Sequence, residues 1–128
     1  MRVLLDTHAY LWWIGGSRRL SRAAKSVIGS AGNEVLVSVA SIWEIATKVR
    51  LGRLEVAAGV TPTIADEVAA QGFVPLGISL AHAELAGSLP GAHGDPFDRM
   101  LIAQSLLEGV PILSADEAFD GFGVSRIW

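Results

Sequence analysis

Two apolar runs near opposite ends of the chain share one design. RVLLD (Arg2 to Asp6) and VPILSAD (Val110 to Asp116) are each a hydrophobic stretch with a carboxylate at or just past its carboxyl end. Between them, short apolar runs alternate with longer stretches of helical periodicity, the pattern of an α/β domain on a mostly parallel sheet. Thr7 to Ile14 reads as a helix ending at the turn Gly15-Gly16-Ser17. Ser21 suits the N-cap of a second helix that Gly29 or Gly32 ends. Val35 to Val37 reads as a strand, and Ser38 or Ser41 opens a long helix to about Leu51. Thr61-Pro62 begins a helix through Ala70 that Gly72 stops. Phe73 to Ile78 reads as a strand, although Pro75 would weaken a central position. Ser79 to about Ser88 and Pro96 to Glu108 read as helices, with Gly109 stopping the second. Val110 to Leu113 is a further buried strand, and Val124 to Ile127 an edge strand.

Composition narrows the class. The 128 residues are 51% apolar and 18% charged, with mean hydropathy +0.44. This excludes intrinsic disorder and suits one compact domain with a generous core. The absence of cysteine removes disulfides, thiolate chemistry and cysteine-ligated zinc. No apolar run reaches the roughly 18 to 20 residues of a spanning helix. MRVLLDTHAYLWWI mimics a signal peptide, but Asp6 and His8 interrupt it and no cleavage site follows. The expectation is a soluble, cytoplasmic, single-domain protein. A net charge of −3 excludes an ordinary basic nucleic-acid coat. Setting aside the four carboxylates discussed below makes the balance slightly positive, so a polyanionic substrate stays open.

In an open parallel sheet, ligands bind beyond the carboxyl ends of strands, where the strand order reverses. If RVLLD and VPILSAD are neighbours there, Asp6 and Asp116 face one crevice. Their mutual repulsion would be relieved by a divalent cation. Capping a helix or loop explains either acid alone equally well.

In Asp95-Pro96-Phe97-Asp98-Arg99, Asp95 suits an N-cap and Pro96 the first helical position. Asp98 shares a helical face with Leu101, Ile102 and Ser105, and a carboxylate beside so apolar a face needs a partner, a cation or Arg99. Glu44 points away from the apolar stripe Ile42, Ile45, Ala46 and Val49. Periodicity alone makes it half of a surface pair with Lys48. His8, His82 and His93 have no metal-ligand spacing, and His82 reads as packing or surface. Walker, Rossmann and nucleophile-elbow motifs are absent. Basic residues gather at Arg18, Arg19, Arg22 and Lys25, then at Lys48, Arg50 and Arg53. These are ordinary solvated faces unless they flank the acidic crevice, where they would hold phosphates.

LLDTHAYLWW, SIWEIATKVRLGRL, DPFDRMLIAQSLLEGVPILSAD and FDGFGVSRIW, in this order from end to end, resemble the PIN-domain ribonucleases, specifically the VapC-type toxins of toxin–antitoxin pairs. The resemblance implies a three-layer α/β/α domain with a short, mostly parallel central sheet flanked by helices. It implies a site of four acids, Asp6, Glu44, Asp98 and Asp116, supported by Thr7, Asp95 and Ser114. It also implies an endoribonuclease dependent on Mg²⁺ or Mn²⁺, hard cations suited to oxygen donors. Metal-activated water would attack in line at phosphorus. Asp6, Asp98 and Asp116 would bind the metal directly or through water, and Glu44 would hold a second ion or orient the water. Implied partners are RNA, a VapB-type antitoxin and a second copy of the chain, without a membrane.

Trp12 and Trp13 are adjacent on one helix and cannot both face the core squarely, so Trp12 or Trp43 is expected at the antitoxin or the other subunit, with core filling equally open. Two other classes compete. A metal-dependent phosphatase or phosphotransfer domain also has an Asp after its first strand. Such a phosphatase wants a second Asp two residues on, where His8 stands. A nonenzymatic binding module with a structural metal would show metal-dependent melting without RNA cleavage.

Overall fold

The computed structural model describes residues 1–55 and 63–128. In chain order these form β1 (Arg2–Leu5), α1 (Thr7–Ile14), α2 (Arg22–Gly29), β2 (Glu34–Ser38), α3 (Val39–Arg50), α4 (Ile64–Ala70), β3 (Val74–Leu76), α5 (Leu80–Ser88), α6 (Pro96–Glu108), β4 (Ile112–Leu113), a 3-10 turn (Glu117–Phe122) and β5 (Arg126–Ile127). The five strands make one sheet in the order β3-β2-β1-β4-β5, and every pairing is parallel. The chain winds outward from β1 through β2 to β3, then returns to the other side of β1 as β4. The strand order therefore reverses between β1 and β4, whose register pairs Leu4 with Ile112 and Leu5 with Leu113.

Alternation of side chains along the strands gives the sheet two buried faces. Val3, Leu5, Val35 and Val37 pack with Ala9, Tyr10, Ala24, Ile28 and Val68 from α1, α2 and α4. Leu4, Leu36 and Ile112 pack on the opposite side with Leu101 and Ile102 of α6 and with Phe119. Helices thus cover both faces, as the α/β expectation requires. Pro75 lies in β3, an edge strand, where its missing N–H leaves no gap in a central ladder. The observed strand is shorter than the Phe73 to Ile78 expected.

Local capping fixes most boundaries. Asp6 caps α1, Ser21 caps α2, Ser38 caps α3 and Ser79 caps α5. Asp95 caps α6, with Pro96 at the first turn and Gly109 in the left-handed conformation at the end. The start of α4 differs from expectation: Thr63 is its cap, while Thr61 and Pro62 lie outside the described residues. β4 and β5 are also shorter than their apolar runs. The 3-10 turn has no counterpart in the sequence reading, because its apolar residues show no helical period.

Because α6 covers one face of the sheet through Leu101, which is fully buried, Leu101→Ala should cost about 3 kcal/mol of unfolding free energy in urea denaturation. A loss under about 1 kcal/mol would mean that α6 does not form that layer.

Candidate active site

The carboxyl ends of β1 and β4 present the first acid and its support. Asp6 is 4% exposed. Its Oδ1 accepts from the Ala9 backbone N–H at 2.7 Å, the capping bond of α1. Its Oδ2 accepts from the Ser114 hydroxyl at 2.5 Å. Ser114 Oγ in turn accepts from the Asp116 N–H at 3.0 Å. One hydroxyl therefore ties together the ends of the two strands where the sheet reverses.

α3 starts directly from β2 at Ser38 and lays a polar face against α1. Thr7 donates to Glu44 Oε1 at 2.6 Å and stands 2.9 Å from the Ser41 hydroxyl. Lys48 Nζ donates to Glu44 Oε2 at 2.5 Å. The face buried on α3 is Ala40, Ser41, Glu44 and Ile45, whereas Val49 and Trp43 are exposed. This corrects the apolar stripe read from periodicity: the Glu44–Lys48 pair exists, but its carboxylate lies inside.

α6 brings Asp98. Asp95 accepts from the N–H groups of Phe97 and Asp98 at 2.9 and 3.2 Å, so its role is the cap. The side chain that meets Asp98 is His93 and not Arg99. His93 Nε2 donates to Asp98 Oδ2 at 2.8 Å, and the imidazole lies near the rings of Phe119 and Phe122. Arg99 instead donates to the carbonyls of Ala86, His93 and Leu89. That clamp fixes the loop carrying His93. Gly91, at φ +132°, lets this loop pass Phe122, whose ring a Cβ would meet at 2.6 Å. His93 is the site residue missed in the sequence; its only signal was standing five residues ahead of Asp98.

Burial pushes the carboxyl of Asp6 up, against the bonds from Ser114 and Ala9 that favour its charge; the Asp98 charge adds to the rise. Burial also raises Asp98, opposed by the His93 bond and reinforced by Asp95 and Glu44. Asp6, Asp98 and Glu44 are thus one electrostatic cluster. Asp116 differs. Its backbone joins the cluster through Ser114, but its carboxylate is exposed and accepts from Ala118 N–H, capping the 3-10 turn.

The donor set is all oxygen and strongly anionic, which suits a hard divalent cation. Among the described residues, no group of three such side chains is gathered tightly enough to ligate one ion. Each acid is held by its own donors, and a carboxylate oxygen that accepts one hydrogen bond keeps a second lone pair for a cation. Of the basic residues expected near the crevice, Lys48 is the one bonded to a candidate acid among the described residues. Arg18, Arg19, Arg22 and Lys25 are exposed around the start of α2.

The PIN domain family model matches residues 3–124. No curated protein matches the sequence. Two solved structures are similar over nearly the whole chain. One is a chain of the VapBC2 complex from Rickettsia felis bound to a DNA fragment from its promoter, with TM-score 0.66, 10% identity and coverage of 99% of this chain and 98% of that one. The other is a chain of a toxin–antitoxin complex from Klebsiella pneumoniae, with TM-score 0.67, 16% identity and coverage of 98% and 96%. At such identities the likeness establishes the fold. No described helix is long and apolar enough to cross a membrane.

The raised carboxyl of Asp6 has a sign that can be tested. A folded-state pKa above the unfolded one means that the native protein binds the proton more tightly. The penalty is full at neutral pH and is relieved as pH falls through the raised value. In EDTA at pH 7, Asp6→Asn, which can still cap α1, should melt several degrees above wild type, and the gap should shrink as pH falls towards the ordinary carboxylate range. An Asn variant that melts lower at every pH would contradict the assignment.

Proposed function

From the premise that the chain belongs to the PIN-domain family, we propose that it is a single PIN domain acting as a VapC-type toxin, an endoribonuclease dependent on Mg²⁺ or Mn²⁺. The observation that carries this reading is the meeting of buried Asp6 and Glu44 with half-buried Asp98 beyond the carboxyl ends of the strands, where the strand order reverses. Asp6 and Asp98, raised by burial and by neighbouring carboxylates, are poised for a cation, and an all-oxygen set selects a hard one.

Asp6, Asp98 and, at the exposed mouth, Asp116 would hold the ion; Glu44 belongs to the same cluster. The bound ion supplies an activated water and positive charge for the anion that develops at phosphorus. The chain's own groups prepare the place. Ala9 N–H and Ser114 O–H fix both oxygens of Asp6, so that it does not swing on binding. His93 aims Asp98, and Thr7 aims Glu44.

The toxin reading rests on the family together with the two structural neighbours, both taken from complexes that pair a toxin with an antitoxin. It brings a VapB-type antitoxin and a homodimer as partners. Apolar surface suited to such partners is present. Trp43 is 63% exposed and packs edge-on to Phe97 at 5.0 Å, beside a groove of about 320 Å³ between α3, α5 and α6. Trp12 is instead half-buried against Trp128 and His8, so Trp43 is the better placed of the two tryptophans.

Purified protein incubated with total RNA should give discrete fragments with Mg²⁺ or Mn²⁺ and none with EDTA. Asp6→Asn and Asp98→Asn should each reduce the rate to below about one hundredth of wild type, as for residues acting within one catalytic unit. Cleavage that survives EDTA, or both substitutions, would defeat the reading.

A further inference from the structure

β1, β4 and β5 end level with one another. Leu5 pairs with Leu113, and Leu113 with Ile127. The next residues, Asp6, Ser114 and Trp128, therefore follow one another along the same end of the sheet. Asp6 and Ser114 belong to the acid cluster, and Trp128 puts an indole on its β5 side. That ring meets Trp12 of α1, with centroids 5.7 Å apart. Trp12 meets His8, one helical turn nearer Asp6, also at 5.7 Å. His8 is close enough to Asp6 for its charge to act on that carboxyl. Three rings thus form a row from the first acid to the end of β5. Both indoles rest against the core, yet each stays partly open to solvent, and His8 is exposed.

Core filling explains the inner sides of the two indoles. Their outer sides lie beside an anionic cluster that repels a phosphate chain, and there they offer contact of another kind, a π-surface. We infer that His8, Trp12 and Trp128 are a base-stacking subsite, holding a nucleobase of the RNA strand next to the phosphate at the acids. This rests on the nuclease reading above and adds to it the part of the substrate that carries no charge. Every base has a π-face, and aromatic side chains bind it without base-specific hydrogen bonds. A base in a duplex is kept in its stack, whereas an unpaired one can splay out onto the rings. Rings already held by the core and by one another lose little freedom when a base arrives.

The test uses a short single-stranded RNA carrying a mapped cleavage site. Calorimetric Mn²⁺ binding shows that each variant keeps its fold and its acids. Trp12→Leu keeps apolar bulk against the core but has no ring. Its KM should rise about fivefold to a hundredfold, with kcat changed far less. Trp12→Phe should bring KM back to within about threefold of wild type, since it restores an aromatic face. The slope of log KM against log salt should stay that of wild type, because stacking releases no counterions. His8 is exposed, so His8→Ala leaves the core intact; it should also raise KM, and His8→Phe should not. The same RNA annealed to its complement should be cut at least about tenfold more slowly by wild type. The inference is overturned if Trp12→Leu and His8→Ala both leave KM unchanged, if KM rises only in variants that lose Mn²⁺, or if the duplex is cut as fast as the single strand. A wild-type protein that cuts no RNA with Mn²⁺ would overturn the nuclease reading, and this inference with it.

Discussion

The hydroxyl of Ser114 reaches from the end of β4 to the carboxylate of Asp6 at the end of β1, and the site is organised around that bond. A carboxylate at 4% exposure is costly unless donors meet it. Here one donor is a free N–H group in the first turn of a helix, that of Ala9, and the other is the hydroxyl just past the neighbouring strand. The sheet supplies both because it changes direction between these two strands. Exchanging the strands, or moving Ser114 by one residue, would leave Asp6 buried and half-satisfied. The fold and the site are therefore one arrangement.

Compensation at Asp6 and Asp98 remains incomplete, since burial still outweighs the bonds each receives. Two facing helices add charge to the problem: α3 carries Glu44 inward and α6 carries Asp98. A structure optimised only for stability would not gather these groups. Their convergence stores an unfavourable free energy that the cation of the proposed function would relieve, and this links the electrostatics of the cluster to that proposal.

Much of this was legible in the sequence where the signals are local. Asp6, Ser21, Asp95, Pro96 and Gly109 fix helix ends by chemistry within a few residues, and α1 and α6 begin and end where the sequence places them. The shared form of RVLLD and VPILSAD left open that their strands are neighbours at the reversal, and the register makes them so. What depends on distant packing was not legible. The apolar stripe of α3 misplaced its buried face, because α1 meets that helix with Thr7 rather than with a hydrophobic residue. The His93 pairing with Asp98 depends on Arg99 gripping three carbonyls of a loop, which no spacing reveals. Asp116 follows the strand as expected, yet its carboxylate turns outward to cap the next turn.

The central claim is that the acids at the β1–β4 reversal form one cation site. The most direct measurement is an anomalous difference map from crystals grown with Mn²⁺. The account predicts a peak about 2.0 to 2.6 Å from oxygens of Asp6 and Asp98, with the Ser114 bond to Asp6 kept. Peaks confined to surface carboxylates, with the cluster unchanged and empty at saturating Mn²⁺, would contradict it.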